Sequence, residues 1–246
     1  MRERITTGVD GLDDMMGGGV PKGNQVLLAG GPGTGKTLFT FAFVYKNAQL
    51  GRPGIIISLE ENAEDIVENA KSAFPEFTGI DDMLRSGEIT IYDAKKLMTA
   101  LFGNPDMTRL ELAERFFKSV STQVAPIIKE AHAQTIVIDN MTILRIFFKD
   151  DWEYRNFAVS LHDSLKEAGV TGIIISELSS PQRSKLTFEQ EFFEVDGIIM
   201  LYLREGSGEG ADTRVRTIEV LEMRGTSHSL RTMPYEVTPH GLCISR

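Results

Sequence analysis

The chain has 246 residues, of which 41% are hydrophobic, with a formal net charge of −9 and a single cysteine, Cys243. That length holds one large domain or two small ones with a sizeable core. The acidic balance speaks against a dedicated nucleic-acid coat, one cysteine excludes an intrachain disulfide framework, and no run approaches the roughly 18 apolar residues that span a membrane.

In chain order, Met1-Arg2-Glu3-Arg4 lacks the apolar core of a signal peptide, so a cytoplasmic location is expected, with Cys243 as a small core residue. Gln25-Val26-Leu27-Leu28-Ala29 predicts a short buried strand. The glycine-rich run Gly30 to Thr37 follows, and Leu38 to Leu50, free of Gly and Pro, predicts a helix stopped by Gly51 and Pro53. Ile55-Ile56-Ile57-Ser58-Leu59 has the β-branched texture of a strand buried on both faces. Asn62 is placed to cap a helix running to about Phe74, with Ala63, Ile66, Val67 and Ala70 on one face. Ile89 to Tyr92 is a further strand, and Lys95 to Met107 reads as a surface insertion with a turn at Gly103-Asn104-Pro105. Residues 110–133 read as helical, with Pro126 marking a break or a new first turn.

Thr135-Ile136-Val137-Ile138-Asp139 is another buried strand, Trp152 to Ala168 a helix stopped by Gly169, and Thr171 to Ser176 the next strand. Gly197 to Leu203 and Arg214 to Met223 read as antiparallel strands joined by a glycine-containing turn from Glu205 to Asp212. Alternating strands and helices predict an α/β fold with a mostly parallel central sheet flanked by helices, extended by antiparallel C-terminal strands. Without a linker or repeat in view, residues 1–246 read as a single domain.

Gly30-Gly31-Pro32-Gly33-Thr34-Gly35-Lys36-Thr37 fits the phosphate-loop pattern G-x-x-x-x-G-K-S/T without a mismatch, in the strand–loop–helix context that pattern requires. Glycines let backbone N–H groups close on phosphate oxygens, and the helix N-terminus adds unpaired donors and partial positive charge. Gly31, Pro32, Gly33, Thr34, Gly35, Lys36, Thr37 and Leu38 are therefore the candidate phosphate-binding set, with ATP or ADP as ligand. Lys36 would reach the β- and γ-phosphates, and Thr37 would hold Mg2+. Asp139, ending an apolar strand, is the second candidate for the Mg2+ shell, through water. Hydrolysis also needs a group that orients or deprotonates water. Glu60 and Glu61 follow a strand end directly; by spacing alone they are equally a solvated acidic helix start. Ser176 and Glu177 end a third strand and could sense the γ-phosphate, or simply be a polar strand end.

These residues resemble the RecA-like ATPases and, within them, the KaiC family, over nearly the whole chain. The resemblance begins at Thr7-Gly8-Val9-Asp10-Gly11-Leu12-Asp13, runs through Gly17-Gly18-Gly19-Val20-Pro21-Lys22-Gly23 and enters the phosphate loop. Glu194-Val195-Asp196-Gly197-Ile198-Ile199 and Met223-Arg224-Gly225-Thr226-Ser227-His228 resemble its C-terminal signatures. It implies a RecA-like P-loop fold and makes Ser58-Leu59-Glu60-Glu61 the family's double glutamate, with Glu60 as base and Glu61 assisting. It implies a homo-oligomeric ring, a hexamer by analogy, in which ATP sits between subunits and the neighbour presents a Lys-x-Arg pair. Arg224 matches the Arg; Glu222 stands at the Lys position, so Glu222 points away, Arg224 suffices alone, or turnover is slow. Thr226 and His228 match positions facing the neighbour's nucleotide, Thr238 matches more weakly because Pro239 follows it, and Ser72 falls near the base. Ser179-Ser180 fits the family's autophosphorylation pair poorly, so autokinase activity is not expected. Competing readings are a nucleotide-gated assembly module for an unidentified protein partner and a DNA-handling ATPase. For the latter, Arg145 to Arg155 and Ser179 to Gln190 offer Arg145, Lys149, Arg155, Arg183 and Lys185, but Asp150, Asp151 and Glu153 mix the charge, and nucleic acid is not favoured.

Overall fold

The computed structural model describes residues 2–96, 125–178, 194–205 and 214–245, together with residues 111 and 115. Twelve strands occur among them: β1 (Arg4–Ile5), β2 (Val9–Asp10), β3 (Val20–Pro21), β4 (Gln25–Gly30), β5 (Gly54–Ser58), β6 (Ile89–Asp93), β7 (Thr135–Asp139), β8 (Thr171–Glu177), β9 (Gly197–Glu205), β10 (Arg214–Met223), β11 (Met233–Thr238) and β12 (Gly241–Ile244). The helices are α1 (Leu12–Met15), α2 (Lys36–Gln49), α3 (Ala63–Ala73), α4 (Ile80–Ser86) and α5 (Asp151–Glu167), with a 3₁₀ helix at Met141–Phe147. Ten strands form one sheet in the order β2-β12-β11-β10-β9-β4-β8-β7-β5-β6. From β9 to β6 every pairing is parallel; β10 and β11 add antiparallel strands, β12 pairs antiparallel with β11, and β2 closes the far edge parallel to β12.

Successive strand residues face opposite sides, and here both sides are buried. Val26, Leu28, Ile56, Val137, Ile173 and Ile175 enter a core shared with α2, α3 and α4. Leu27, Ala29, Ile55, Ile57, Ile136, Ile138 and Ile174 enter a second core with the 3₁₀ helix and α5. Continuous β-branched runs mark the central strands because neither face meets water. Parallel register then aligns the chemistry. Gly30 lies opposite Glu177, and Ser58 opposite Asp139, so the phosphate loop, Glu177, Asp139 and the Glu60-Glu61 pair share the carboxyl rim of the sheet.

Several expectations are refined. The first C-terminal strand, β9, pairs parallel with β4; the antiparallel portion begins at β10. Asn62 does occupy the cap position of α3, but its side chain accepts no capping bond and instead donates to Asp65 at 3.0 Å. Cys243 is half-buried in β12 rather than in the core. The short α4 and the 3₁₀ helix carry too few residues for a periodic signal and were not anticipated. The helix expected over residues 110–133 is seen at residues 125–130, and the rest of that span, most of the 95–107 insertion and the 205–212 turn lie largely outside the described residues. No described helix is long and apolar enough to cross a membrane.

The N-terminal motif is a packing device. Both hydroxyls of Thr6 and Thr7 and the Thr7 N–H donate to the Asp13 carboxylate at 2.6–2.8 Å. Gly8 has φ +74°, and a Cβ there would stand 2.6 Å from the Ala42 carbonyl oxygen on α2. The glycine thus permits the N-terminal strand to lie against the backbone of the helix that follows the phosphate loop. Gly8→Ala combines a left-handed conformation with a backbone clash and should lower stability by about 2–4 kcal/mol, read as an earlier denaturant midpoint. A midpoint within error of wild type would show that the contact is not needed.

Candidate functional site

The loop leaves β4 at Gly30 and turns through Gly33 and Gly35, whose φ values of +75° and +83° suit glycine; Gly35 is the cap residue of α2. Lys36, the first residue of α2, is buried, and a buried ammonium is costly without partners. Its Nζ donates to Gly30 O at 3.0 Å and Gly31 O at 3.1 Å and lies 3.4 Å from Glu177 Oε1. Glu177, which the sequence offers as a γ-phosphate sensor or a plain polar strand end, is thereby brought to the loop lysine. Its backbone N–H donates to Thr142 Oγ1 at 2.8 Å, tying β8 to the 3₁₀ helix.

Asp139 ends β7 buried, with Oδ2 lacking any hydrogen-bond partner among the described residues. Burial pushes its pKa up to about 6; the Thr37 hydroxyl and then Lys36 oppose this, whereas Glu61 and Glu60 add to it. Glu60 and Glu61 diverge in a turn that Ser58 ties: Ser58 Oγ donates to Glu61 O at 2.6 Å and accepts from Glu61 N at 3.2 Å. Glu61 turns toward α2 and α3, where Thr37 Oγ1 and Asn69 Nδ2 each donate to it at 3.4 Å. Glu60 turns the other way and accepts from Asn140 Nδ2 at 2.6 Å. Glu60 reaches solvent, yet the protein packed around its carboxyl and, next, the Glu177 charge raise its pKa, with Lys36 opposing. Asn140 also caps the 3₁₀ helix, its Oδ1 accepting from Ile143 N at 3.2 Å, so both ends of the amide are engaged. Asn140 has no signal in the sequence beyond its position next to Asp139, and Ser58 is named there only within its strand and the double-glutamate motif, with no role of its own.

This cluster fits a divalent cation. A buried carboxylate oxygen is unpartnered, and a hydroxyl, Thr37, stands beside it at the start of α2. Among the described residues, no three His, Cys, Asp or Glu side chains could hold a metal by themselves. The remaining ligands would come from phosphate and water, the usual mode for Mg2+ and not for a dedicated protein cage.

Leu38 and Ser72 line one hollow with Thr37, Glu61 and Asn69 between α2 and α3. Thr238 closes the β11–β12 turn by donating to Gly241 O at 2.8 Å, and β11 runs beside the loop, where the Tyr235 hydroxyl donates to Thr34 O. Thr238 is thus on this chain's own loop side. Arg224, Thr226 and His228 are not. Met223 pairs with Gly197, which pairs with Val26, four residues back along β4 from Gly30 and so about 13 Å from it. Arg224 N donates to Asp196 O at 2.7 Å, which holds it on that amino rim. Asp196 anchors the rim. Burial opposes its charge, but bonds from Lys166 Nζ and Gln25 N and the His162 charge outweigh burial and keep its pKa below the ordinary carboxylate value. Thr226 Oγ1 accepts from Arg4 Nη2 at 3.1 Å, and His228 Nδ1 lies 3.3 Å from Ser229 O. Glu222 faces its own Arg224, whose Nε donates to it at 3.3 Å. Arg145 and Arg155 in the stretch considered for nucleic acid pair with Asp151 and Glu194; residues 179–190, including Ser179, Ser180, Arg183 and Lys185, lie outside the described residues.

The family model "ATPase: KaiC" matches residues 5–246. The chain belongs to the KaiC ATPase family. It is 34% identical to a UPF0273 protein of Thermotoga maritima over 99% of this chain and 96% of that one. It is 29% identical to the circadian clock oscillator protein KaiC of Synechococcus elongatus, covering 98% of this chain but 44% of that KaiC. A solved structure of a KaiC-like protein from Pyrococcus horikoshii OT3 matches with a TM-score of 0.78 at 29% identity, covering 100% of both chains. The KaiC-like fold and the parallel sheet with antiparallel C-terminal strands agree with the expectation from sequence.

The raised Asp139 pKa carries a sign. The folded protein holds this proton more tightly than the unfolded chain, so ionising Asp139 costs stability as pH rises from about 4 through 6. A rise from 3.8 to about 6 corresponds to about 3 kcal/mol. Without nucleotide, Asp139→Asn should therefore be more stable than wild type by about 2–3 kcal/mol at pH 7.5 in denaturant melts, and equal to it near pH 4. Equal stabilities at both pH values would remove the argument from burial.

Proposed function

We propose that this chain is a Mg2+-dependent ATPase whose nucleotide sites lie between subunits of a homo-oligomeric ring, with residues 1–246 as one ATPase domain. The observation that carries the hydrolytic reading is the convergence of Lys36, Thr37, Asp139, Glu60 and Glu61 on one rim of the sheet, although they come from three separate segments. The backbone of Gly31 to Gly35 would cradle the phosphates, Lys36 would neutralise charge at the β- and γ-phosphates, and Leu38 and Ser72 would border the nucleoside. Mg2+, held by Thr37 and through water by Asp139, would offset charge developing in phosphoryl transfer. Glu60 would orient and deprotonate the attacking water; its raised pKa favours proton acceptance, and Asn140 fixes its direction. Glu61, bonded to Thr37, would support the cation side of the site.

The trans half rests on rim geometry. Arg224, Thr226 and His228 stand at the rim opposite their own loop, so they could serve only a nucleotide held by another copy. A head-to-tail arrangement pairs one copy's amino rim with the next copy's carboxyl rim, and closes as a ring, a hexamer by analogy with the family. Thr238 would contribute on its own loop's side. The Glu222–Arg224 pair favours a second reading, in which Arg224 is partly occupied in its own chain, hydrolysis is slow, and nucleotide chiefly gates assembly or a protein partner.

Glu60→Gln should lower ATP turnover by about 100-fold or more while leaving ATP affinity within a few-fold. Unchanged turnover would remove Glu60 as base. For the trans half, Lys36→Ala and Arg224→Ala should each be inactive alone, and mixing the two should restore activity, because some interfaces then combine an intact loop with an intact arginine. Failure of mixed rings to recover would place Arg224 outside the neighbour's site. In the same assay Glu222→Lys should raise turnover several-fold if the pair restrains Arg224.

A further inference from the structure

A loop that binds phosphate through N–H groups must keep its carbonyl oxygens away from the anion. In each trans peptide, C=O and N–H point in opposite directions, so a donor that holds a carbonyl outward turns the following N–H inward. Here the carbonyls of Gly30, Gly31, Gly33, Thr34 and Gly35 all accept bonds from within the protein. Lys36 serves Gly30 and Gly31, Thr34 Oγ1 adds a bond to Gly31 at 2.8 Å, and Phe39 N serves Gly35 at 2.9 Å. These donors are part of the loop–helix unit itself. The other two are not: Arg216 Nε donates to Gly33 O at 3.1 Å, and the Tyr235 hydroxyl donates to Thr34 O.

We propose that Arg216 on β10 and Tyr235 on β11 are positioning residues that hold the Gly33–Thr34 and Thr34–Gly35 peptides with their N–H groups turned to the phosphates. The proposal rests on the reading of this loop as the nucleotide site. Tyr235 is fully buried, and burial keeps its hydroxyl protonated well beyond the ordinary tyrosine range, so it remains a donor. Register explains why these strands reach the loop: Leu201 pairs with both Gly30 and Ile218, and Arg216 pairs with Leu203, beyond the end of β4 and above the turn. The C-terminal strands thus act on this chain's own site from the Arg216 end of β10, while Arg224 follows the other end.

The test is titration of ADP and of inorganic pyrophosphate into wild type, Tyr235→Phe, Arg216→Gln and Arg216→Lys, together with the amide proton shifts of Thr34 and Gly35 on ADP binding. Each of Tyr235→Phe and Arg216→Gln should weaken both ligands by about fivefold to tenfold and reduce those two shifts. Arg216→Lys should recover part of the loss. Equal weakening of both ligands is required, because pyrophosphate has no nucleoside to bind elsewhere. Wild-type affinity in the variants, a melting-temperature loss alone, or weakening of ADP without pyrophosphate would each overturn the proposal. A reduced salt dependence in Arg216→Gln would assign Arg216 a direct phosphate contact and overturn its bracing role. If Tyr235→Phe fails to fold, the variants of the half-buried Arg216 decide the matter. Absence of ADP binding in wild type would overturn the loop reading and this inference together.

Discussion

Burial of the Lys36 ammonium is the interaction on which the rest of this site depends. A charge taken out of water needs close partners, and the chain supplies two carbonyls of its own loop and the Glu177 carboxylate. Those partners fix the start of α2, the turn of the loop and the end of β8 relative to one another. Thr142 then ties β8 to the 3₁₀ helix, and Asn140, which caps that helix, holds Glu60. One buried cation thus sits at the centre of a connected set that includes both the glycine-rich loop and the proposed base.

Carboxylates outnumber that cation around it. Asp139, Glu60, Glu61 and Glu177 crowd one rim, and two of them have raised pKa values: burial is the main cause for both, with Glu61 and Glu60 adding to it at Asp139 and Glu177 and Glu61 at Glu60. A buried carboxylate oxygen without a hydrogen-bond partner among the described residues costs stability. Such local cost is expected where a site is arranged for a ligand that completes it. Under the proposed function, a divalent cation with its phosphates and water would complete this donor set.

The sheet also separates two kinds of residue. Parallel strands deliver their carboxyl ends to one rim, which is why residues from β4, β5, β7 and β8 meet there despite wide spacing in the chain. Antiparallel β10 runs back to the other rim and leaves Glu222 and Arg224 there. The two ends of that strand therefore belong to different halves of the proposed intersubunit site, Arg216 beside its own loop and Arg224 facing away from it.

Much of this was legible without coordinates. Period and composition marked β4, β5, β7, β8 and α5, because a strand buried on both faces must be apolar throughout and a long helix shows its ends by Gly and capping residues. The phosphate loop was legible because close backbone approach to an anion restricts residue type at fixed spacing, and strand-end acidic residues were legible because parallel sheets gather their ends. What the chain alone could not display was direction. Glu60 and Glu61 turn apart in a turn tied by the Ser58 hydroxyl, and Asn140, Arg216 and Tyr235 make contacts across long stretches of sequence that carry no periodic signature. Glu222 was visible as a departure from the family, but only the pairing of β10 with β9 placed it at the rim, turned to Arg224. Residue chemistry is local and so is written in the sequence; which groups face one another is decided by strand order and register, which exist only once the chain has folded.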